Sequence, residues 1–396
     1  DSNQTGLFVG FILIPVMFLN TVLSSISHGW KPQLLSYSVL ILGISKIITG
    51  IIFVYFLEMG IMGLIIAVTI SFMASIIFLA ISSRKKLTTQ INWKFFKKWI
   101  KLFWLPLYPG ISSIILRLDI ILFTIMTGSV LGIAFWSAAV AITVVIAQAG
   151  TISVAIYPKL MQEKNRDYLT NNITQLFYFA IPITALTIIF AKPGLYLLNP
   201  EYQVASVVAI LLAIQLFLYT LSKVFEDMLL GIEKVDVDQN STFYDYLKSK
   251  LFFAPTARLI QTIIYVVFLF AGFLIITSKP YSEMDLLIFW SLTWLIAEIP
   301  LTLYFYKYVK KNIDLKLENK IISKYLILGI VVFGTIYFIT DKFLIYNSNF
   351  FEFLPGFLLF VVAGALLYFM VTYLFDQRTR RLSKLVLDEI RFILKR

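Results

Sequence analysis

Positive charge falls on alternate sides of a ladder of long apolar segments, and that pattern fixes the solvent in which this chain folds. Eleven segments, near 6–28, 36–57, 60–83, 102–127, 130–157, 173–198, 202–230, 251–277, 285–309, 321–345 and 353–376, have the length needed to span a bilayer. A hydrocarbon core of ~30 Å takes roughly 20 helical residues to cross. Of the 34 Lys and Arg residues, 27 fall in or at the edges of every second connection or in the C-terminal tail, three (Lys192, Lys279, Lys342) fall in or at the edges of the other connections, and four lie deep within segments. By the positive-inside rule the rich side is cytoplasmic, which places the C-terminus inside and Asp1 outside. Barrel strands would be short and would alternate polar with apolar residues, so the expected class is all-α, a multi-pass membrane protein of the cell membrane.

The basic stretches Arg84–Lys101, Lys159–Arg166, Lys234–Lys250, Lys307–Lys324 and Arg378–Arg396 account for the net charge of +12. A nucleic-acid binder would spread such charge along a face that tracks a phosphate backbone, whereas here it is confined to segment ends, so no nucleic-acid partner is expected. With no cysteine there is no disulfide, no thiol catalyst and no thiolate-held metal. The lone His28 sits at an inner helix end before Gly29-Trp30-Lys31-Pro32, as an interfacial polar residue. Asp236-x-Asp238-x-Asn240 opens like a calcium loop, but Ser241 stands where the tight turn needs glycine and Leu247 where the bidentate glutamate belongs, so it reads as a solvated turn. Neither a metal nor a cofactor is expected.

Asp1–Thr5 has no initiator Met, basic n-region or cleavable signal, and with Asp1 outside an odd number of helices is expected upstream. An internal repeat narrows that number to three. Lys46–Gly60 (KIITGIIFVYFLEMG) and Arg258–Gly272 (RLIQTIIYVVFLFAG) share Ile48/Ile260, Ile51/Ile263, Ile52/Ile264, Val54/Val266, Phe56/Phe268, Leu57/Leu269 and Gly60/Gly272. Segments one to three then pair with seven to nine, and parallel repeats of this kind mark transporters. The expected organisation is 1–83 as the remainder of an N-terminal lobe, 84–101 as a basic linker, 102–309 as a six-helix lobe, 310–376 as two additional helices and 377–396 as a basic tail.

Three further features carry a resemblance. The second lobe opens with a basic run Trp93–Lys101, then Leu105-Pro106-Leu107-Tyr108-Pro109-Gly110 and Arg117-Leu118-Asp119-Ile120-Ile121-Leu122. In the next hairpin Gly128-Ser129-Val130-Leu131-Gly132 leads through Trp136-Ser137-Ala138-Ala139 to Tyr157-Pro158-Lys159-Leu160. Leu198-Asn199-Pro200-Glu201-Tyr202 precedes the seventh segment, which Gly231-Ile232-Glu233-Lys234 closes. In order and spacing the chain resembles the polysaccharide flippase (Wzx-type) branch of the multidrug/oligosaccharidyl-lipid/polysaccharide exporter superfamily. It departs at Asn199-Pro200-Glu201, where the family has a glycine before the tyrosine. The resemblance implies fourteen helices in two six-helix lobes plus two, of which the first three would precede this chain. It also implies a carrier that moves a lipid-linked oligosaccharide from the cytoplasmic to the external leaflet.

Ionisable groups at bilayer depth are costly and usually face a cavity or a partner. Arg117 and Asp119 lie ~15 and ~12 Å from the outer end of their segment and, two residues apart, point to nearly opposite sides. One is expected to face the central cavity and the other a neighbouring helix, with an interhelical salt bridge as the alternative. Lys223 has Glu226 and Asp227 at i+3 and i+4, which gives either a local charge cluster or a substrate contact. Lys46 and Arg258, related by the repeat, either snorkel to the inner surface or join Arg117 and Lys223 in meeting a lipid phosphate or pyrophosphate. Glu298, two residues before Pro300, either binds a coupling cation or proton or pairs with Lys223.

The expected function is therefore a flippase working by alternating access among membrane lipids, and not an enzyme. A drug/cation antiporter of the same superfamily would favour cavity acids over cavity cations. A polytopic glycosyltransferase or polymerase would need a substantial external loop carrying carboxylates or histidine. A purely structural membrane subunit is the fourth alternative, since buried charge alone does not establish transport. The absence of native thiols makes the topology easy to test. A Lys316→Cys variant should resist an impermeant maleimide in intact cells and react once the cells are opened, and labelling in intact cells would invert the assignment.

Overall fold

The computed structural model describes residues 2–394 apart from 32, 88–92, 94–95, 98–99, 101–102, 154–165, 234, 236–241, 279, 314 and 316. Among the described residues there is no strand, and eleven helices are long and apolar enough to cross a membrane. The chain is an all-α, multi-pass membrane protein. It divides into two compact units, Asp1–Leu102 and Phe103–Arg396.

The first unit consists of α1 (Ser2–Trp30), α2 (Gln33–Gly50, prolonged by a π-turn over Ile51–Phe56) and α3 (Gly60–Leu87). Every fourth residue of α3, namely Gly63, Ala67, Ser71, Ser75, Leu79 and Ser83, is buried, and all but Leu79 are small. Lipid tails are as apolar as leucine, so helices in a bilayer associate through close backbone approach and polar contacts, which small residues permit. Here Ser75 donates to Asn20 Oδ1 at 2.8 Å, Ser27 and Ser83 hydroxyls meet at 3.4 Å, and Thr49 donates to the Ala67 carbonyl at 3.2 Å. At the π-turn the amides of Leu57 and Met59 reach Ile52 O and Phe53 O, and Glu58 (φ 50°) and Gly60 (φ 54°) reverse the chain into α3.

In the second unit α4 (Trp104–Leu116) and α5 (Leu118–Thr127) share one crossing. The chain continues through α6 (Val130–Thr143) with a 3₁₀ extension over Val144–Ser153, α7 (Arg166–Ile189), α8 (Ala191–Leu198), a 3₁₀ turn Pro200–Ala205 and α9 (Ser206–Gly231). Then follow α10 (Phe243–Lys248), α11 (Lys250–Thr277), α12 (Glu283–Ile313), α13 (Asn319–Phe343), α14 (Phe350–Phe375) and α15 (Gln377–Leu394). The hub is α9, which packs on α6, α7, α11 and α12. One core gathers Met228 and Phe225 of α9 with Phe305 and Val309 of α12 and Leu176 of α7. A second is aromatic, built from Phe123, Trp136, Phe273 and Trp290. Tyr178, Tyr325, Phe333 and Tyr368 join α13 and α14 to α7.

Two crossings depart from the expected continuous helices. The segment at 173–198 stops at Ile189, because Phe190 (φ −91°, ψ 14°) leaves the helical region. Pro193 then occupies the first turn of α8, where a missing N–H costs nothing. The segment at 102–127 is interrupted at Arg117. The Tyr157–Leu160 end, the 236–240 turn, Lys279 and Lys316 lie outside the described residues.

A Cβ on Gly63 would stand 2.6 Å from the Phe53 carbonyl oxygen, a backbone atom that cannot rotate away. Gly63→Ala should therefore destabilise the first unit by about 1–3 kcal/mol, the usual range for overpacking, read as a lowered unfolding midpoint in detergent. Gly43→Ala, which meets nothing within 4 Å, is the control.

Candidate functional site

Three helices of the second unit bring their charges to one place. Arg258 of α11 turns toward α9 and α12, where Nε donates to Glu226 Oε2 at 3.2 Å and Nη1 lies 3.6 Å from Glu298 Oε1. Nη2 donates to Ser222 Oγ at 3.0 Å, and Ser222 in turn donates to Glu298 Oε1 at 2.6 Å. The guanidinium carbon sits 4.9 Å from the Tyr219 ring centre, so the planar cation is held at its edge by carboxylates and at its face by an aromatic ring. Glu298 is 1% exposed, and an uncompensated carboxylate there would be very costly. Lys223, its side chain 45% exposed, approaches Glu226 at 3.4 Å and Asp227 at 3.5 Å. Three carboxylates thus face two cations. Glu298 pairs with Arg258, which α11 brings to the contact of α9 with α12, and among the described residues it makes no ion pair with Lys223, whose amine turns to Glu226 and Asp227 on its own helix.

A second polar cluster surrounds Asp119. The crossing is broken beside it, where Arg117 adopts φ −67°, ψ −10° and its amide bonds tightly to Ile114 O at 3.2 Å. Asp119 Oδ1 accepts from the Ile120 amide at 2.7 Å. Oδ2 accepts from Tyr265 Oη at 3.0 Å and Trp290 Nε1 at 3.3 Å, and Trp290 Nε1 also donates to Tyr265 Oη at 2.7 Å. The Trp290 indole stacks on Trp136, with centroids 3.7 Å apart at 8°, and lies against Phe123 at 5.3 Å. Asp119 is thus held by neutral donors in an aromatic cage. Arg117 is exposed and makes no ion pair among the described residues. Lys46, in the first unit, is also exposed, so the two repeat-related cations have different surroundings.

Helices α11 and α12 enclose a half-open apolar groove of about 830 Å³. Its walls include Ile260, Ile264 and Phe268 of α11 and Ile296, Ala297 and Pro300 of α12. The helices close together at one end, where Phe289 lies over Gly272, and at the other, where Phe253 stacks on Tyr308 at 5.0 Å. Small residues between those ends (Ala257, Thr293, Ala297) leave the space open. Tyr265 lines the groove and also bonds Asp119, so the groove and the cage share a wall.

Sequence reasoning missed Tyr265, Trp290 and Ser222. Tyr265 sits in the repeat segment where Phe53 occupies the matching position, and that exchange of a plain ring for a phenol was the available signal. No protein-family model matches the chain, and no curated protein matches it significantly. A solved structure, lipid II flippase MurJ in an inward closed conformation, is similar over 95% of this chain and 74% of that chain, with 18% identity and a TM-score of 0.58. At that identity the likeness concerns the fold.

Arg258→Ala would leave Glu298 buried without its cation and Glu226 with Lys223 alone, and should destabilise the protein by about 3–5 kcal/mol. Adding Glu298→Gln should recover part of that loss. Thermal unfolding of the single and double variants in detergent measures both, and strict additivity would refute the coupling.

Proposed function

We propose that this protein is a flippase that carries a lipid-linked oligosaccharide or polysaccharide precursor, joined to its lipid by phosphate or pyrophosphate, from the cytoplasmic to the external leaflet by alternating access. The observation that carries this reading is the apolar groove between α11 and α12, whose two helices also carry the polar clusters of Arg258 and Asp119 within membrane-spanning segments. A substrate with a long hydrocarbon tail and a charged head needs both environments within one crossing. The similar structure is that of a lipid II flippase, which is the same kind of task.

In this reading the tail occupies the groove, while Arg117, with Lys46 and Lys223, meets the anionic head. Arg258 is the cation most committed to protein partners, so its part is to hold α9, α11 and α12 in register for the others. Asp119, Glu226, Asp227 and Glu298 are the coupling or structural charges. The carboxylate in excess around Arg258 supports a coupling cation or proton there. The exposed cations at bilayer depth favour an anionic substrate over the cationic ones of a drug antiporter. The work is transport rather than catalysis, in the cell membrane, with the C-terminus cytoplasmic. Helix discontinuities such as the one at Arg117 are where carriers of this kind place binding groups.

An arginine–phosphate contact is worth on the order of 1.5–3 kcal/mol, or roughly ten- to hundredfold in affinity. Transport of a fluorescent polyprenyl-phosphate sugar in proteoliposomes should accordingly fall at least ~10-fold in Arg117→Ala and recover in part in Arg117→Lys, which keeps the charge and loses the fork. Ala297→Trp, which fills the groove, should slow transport while leaving the protein folded. Wild-type rates in both Arg117→Ala and Ala297→Trp would sink the assignment.

A further inference from the structure

Where the helices of the second unit end on their basic side, the starts of α7, α13 and α15 line a pocket of about 230 Å³. Asn171, Gln175, Tyr178, Tyr325, Arg378 and Arg381 line it. It shares no residue with the groove or with either polar cluster.

The pocket is built rather than incidental. Asp376, buried at the junction of α14 and α15, accepts from Tyr325 Oη at 2.9 Å and from the Thr379 amide and hydroxyl at 3.3 and 3.2 Å. Lys324 Nζ lies 3.6 Å from the same carboxylate and donates to the Phe375 carbonyl. Arg380 donates to the last carbonyls of α14, Tyr373 O at 3.0 Å and Leu374 O at 2.7 Å. Arg378 meets Glu318 of the α13 cap at 2.6 Å. These contacts fix the first turn of α15 against α13 and the end of α14. They also use up Arg378 and Arg380 on protein acceptors. Arg381 is left, exposed at the pocket and with no acceptor among the described residues, and Asn171 and Gln175 line the same pocket.

The rest of α15 tells which anion this arrangement meets. In the sequence Leu382, Leu385, Val386, Ile390 and Ile393 recur at helical spacing, and the segment carries Arg378, Arg380, Arg381, Lys384 and Arg391 against Asp388 and Glu389. A basic amphipathic helix that starts one residue after a membrane-spanning helix ends lies in the headgroup layer, where phosphates are anchored to lipid. Arg381 and two amides supply a forked cation and neutral donors, the set suited to a phosphate oxygen cluster. We infer that this pocket binds the phosphodiester headgroup of an anionic membrane lipid, with Arg381 on the phosphate. The inference is independent of what the protein transports.

The test is native mass spectrometry of the full, delipidated protein titrated with phosphatidylglycerol, phosphatidylcholine or glycerol 3-phosphate. Phosphatidylglycerol should bind one tight site at least ~10-fold better than phosphatidylcholine, and Arg381→Glu should weaken that site by ~10-fold or more. Arg381→Lys should lie between. Gln175→Leu, which removes a donor without adding charge, should cost a smaller factor of about 3 and serves if Arg381→Glu fails to fold. Equal binding of the two lipids, or an unchanged phosphatidylglycerol site in the folded arginine variants, overturns the proposal. Glycerol 3-phosphate binding as tightly as the lipid also overturns it, in favour of a soluble anion.

Discussion

The ion pairs of Arg258 with Glu226 and Glu298 are the contact on which the second unit depends, because they join α9, α11 and α12 through groups that have no water to turn to. Replaced by hydrocarbon on all sides, such a cluster would cost little. With one member missing, it costs more than any apolar contact nearby. The three helices are therefore locked in rotation about their axes, and the groove between α11 and α12 inherits its shape from that lock. Hydrophobic packing could not do this alone, since lipid offers the same apolar partners as a neighbouring helix. The first unit relies on the small face of α3, where precision comes from distance between backbones.

Much of the fold was legible. Hydrophobic length and charge alternation locate the crossings because a backbone in hydrocarbon has to satisfy its own hydrogen bonds, which leaves little freedom in where a helix begins and ends. The breaks were less legible. Asp119 bonds Tyr265 and Trp290 of other helices just past the one at Arg117, partners that no local pattern gives, whereas the one at Phe190 had a local signal in Pro193, three residues on. The charges at issue were also legible as types and positions, but their partners were not. Spacing on one helix offers Lys223 with Glu226 and Asp227 as one of two readings, and the three side chains do lie together. The partner of Glu298 depends on which third helix brings a cation to the packed pair of α9 and α12, and no local pattern holds that information. Tyr265 and Trp290 looked like ordinary core residues because their ring faces are core, and only their polar edges serve Asp119.

The break at Arg117 divides one crossing into two levers with separate footings on α11. The half before it is fixed by Tyr108, whose ring stacks on Phe252 at 5.0 Å and whose hydroxyl meets Thr256 at 2.7 Å. The half after it is fixed by Asp119 on Tyr265, nine residues further along α11. A straight helix transmits tilt from end to end, whereas a jointed one lets one leaflet's portion swing while the other stays seated. Arg117 stands at the fulcrum, so a small change in the angle between the halves sweeps its long side chain through an arc while its backbone barely moves.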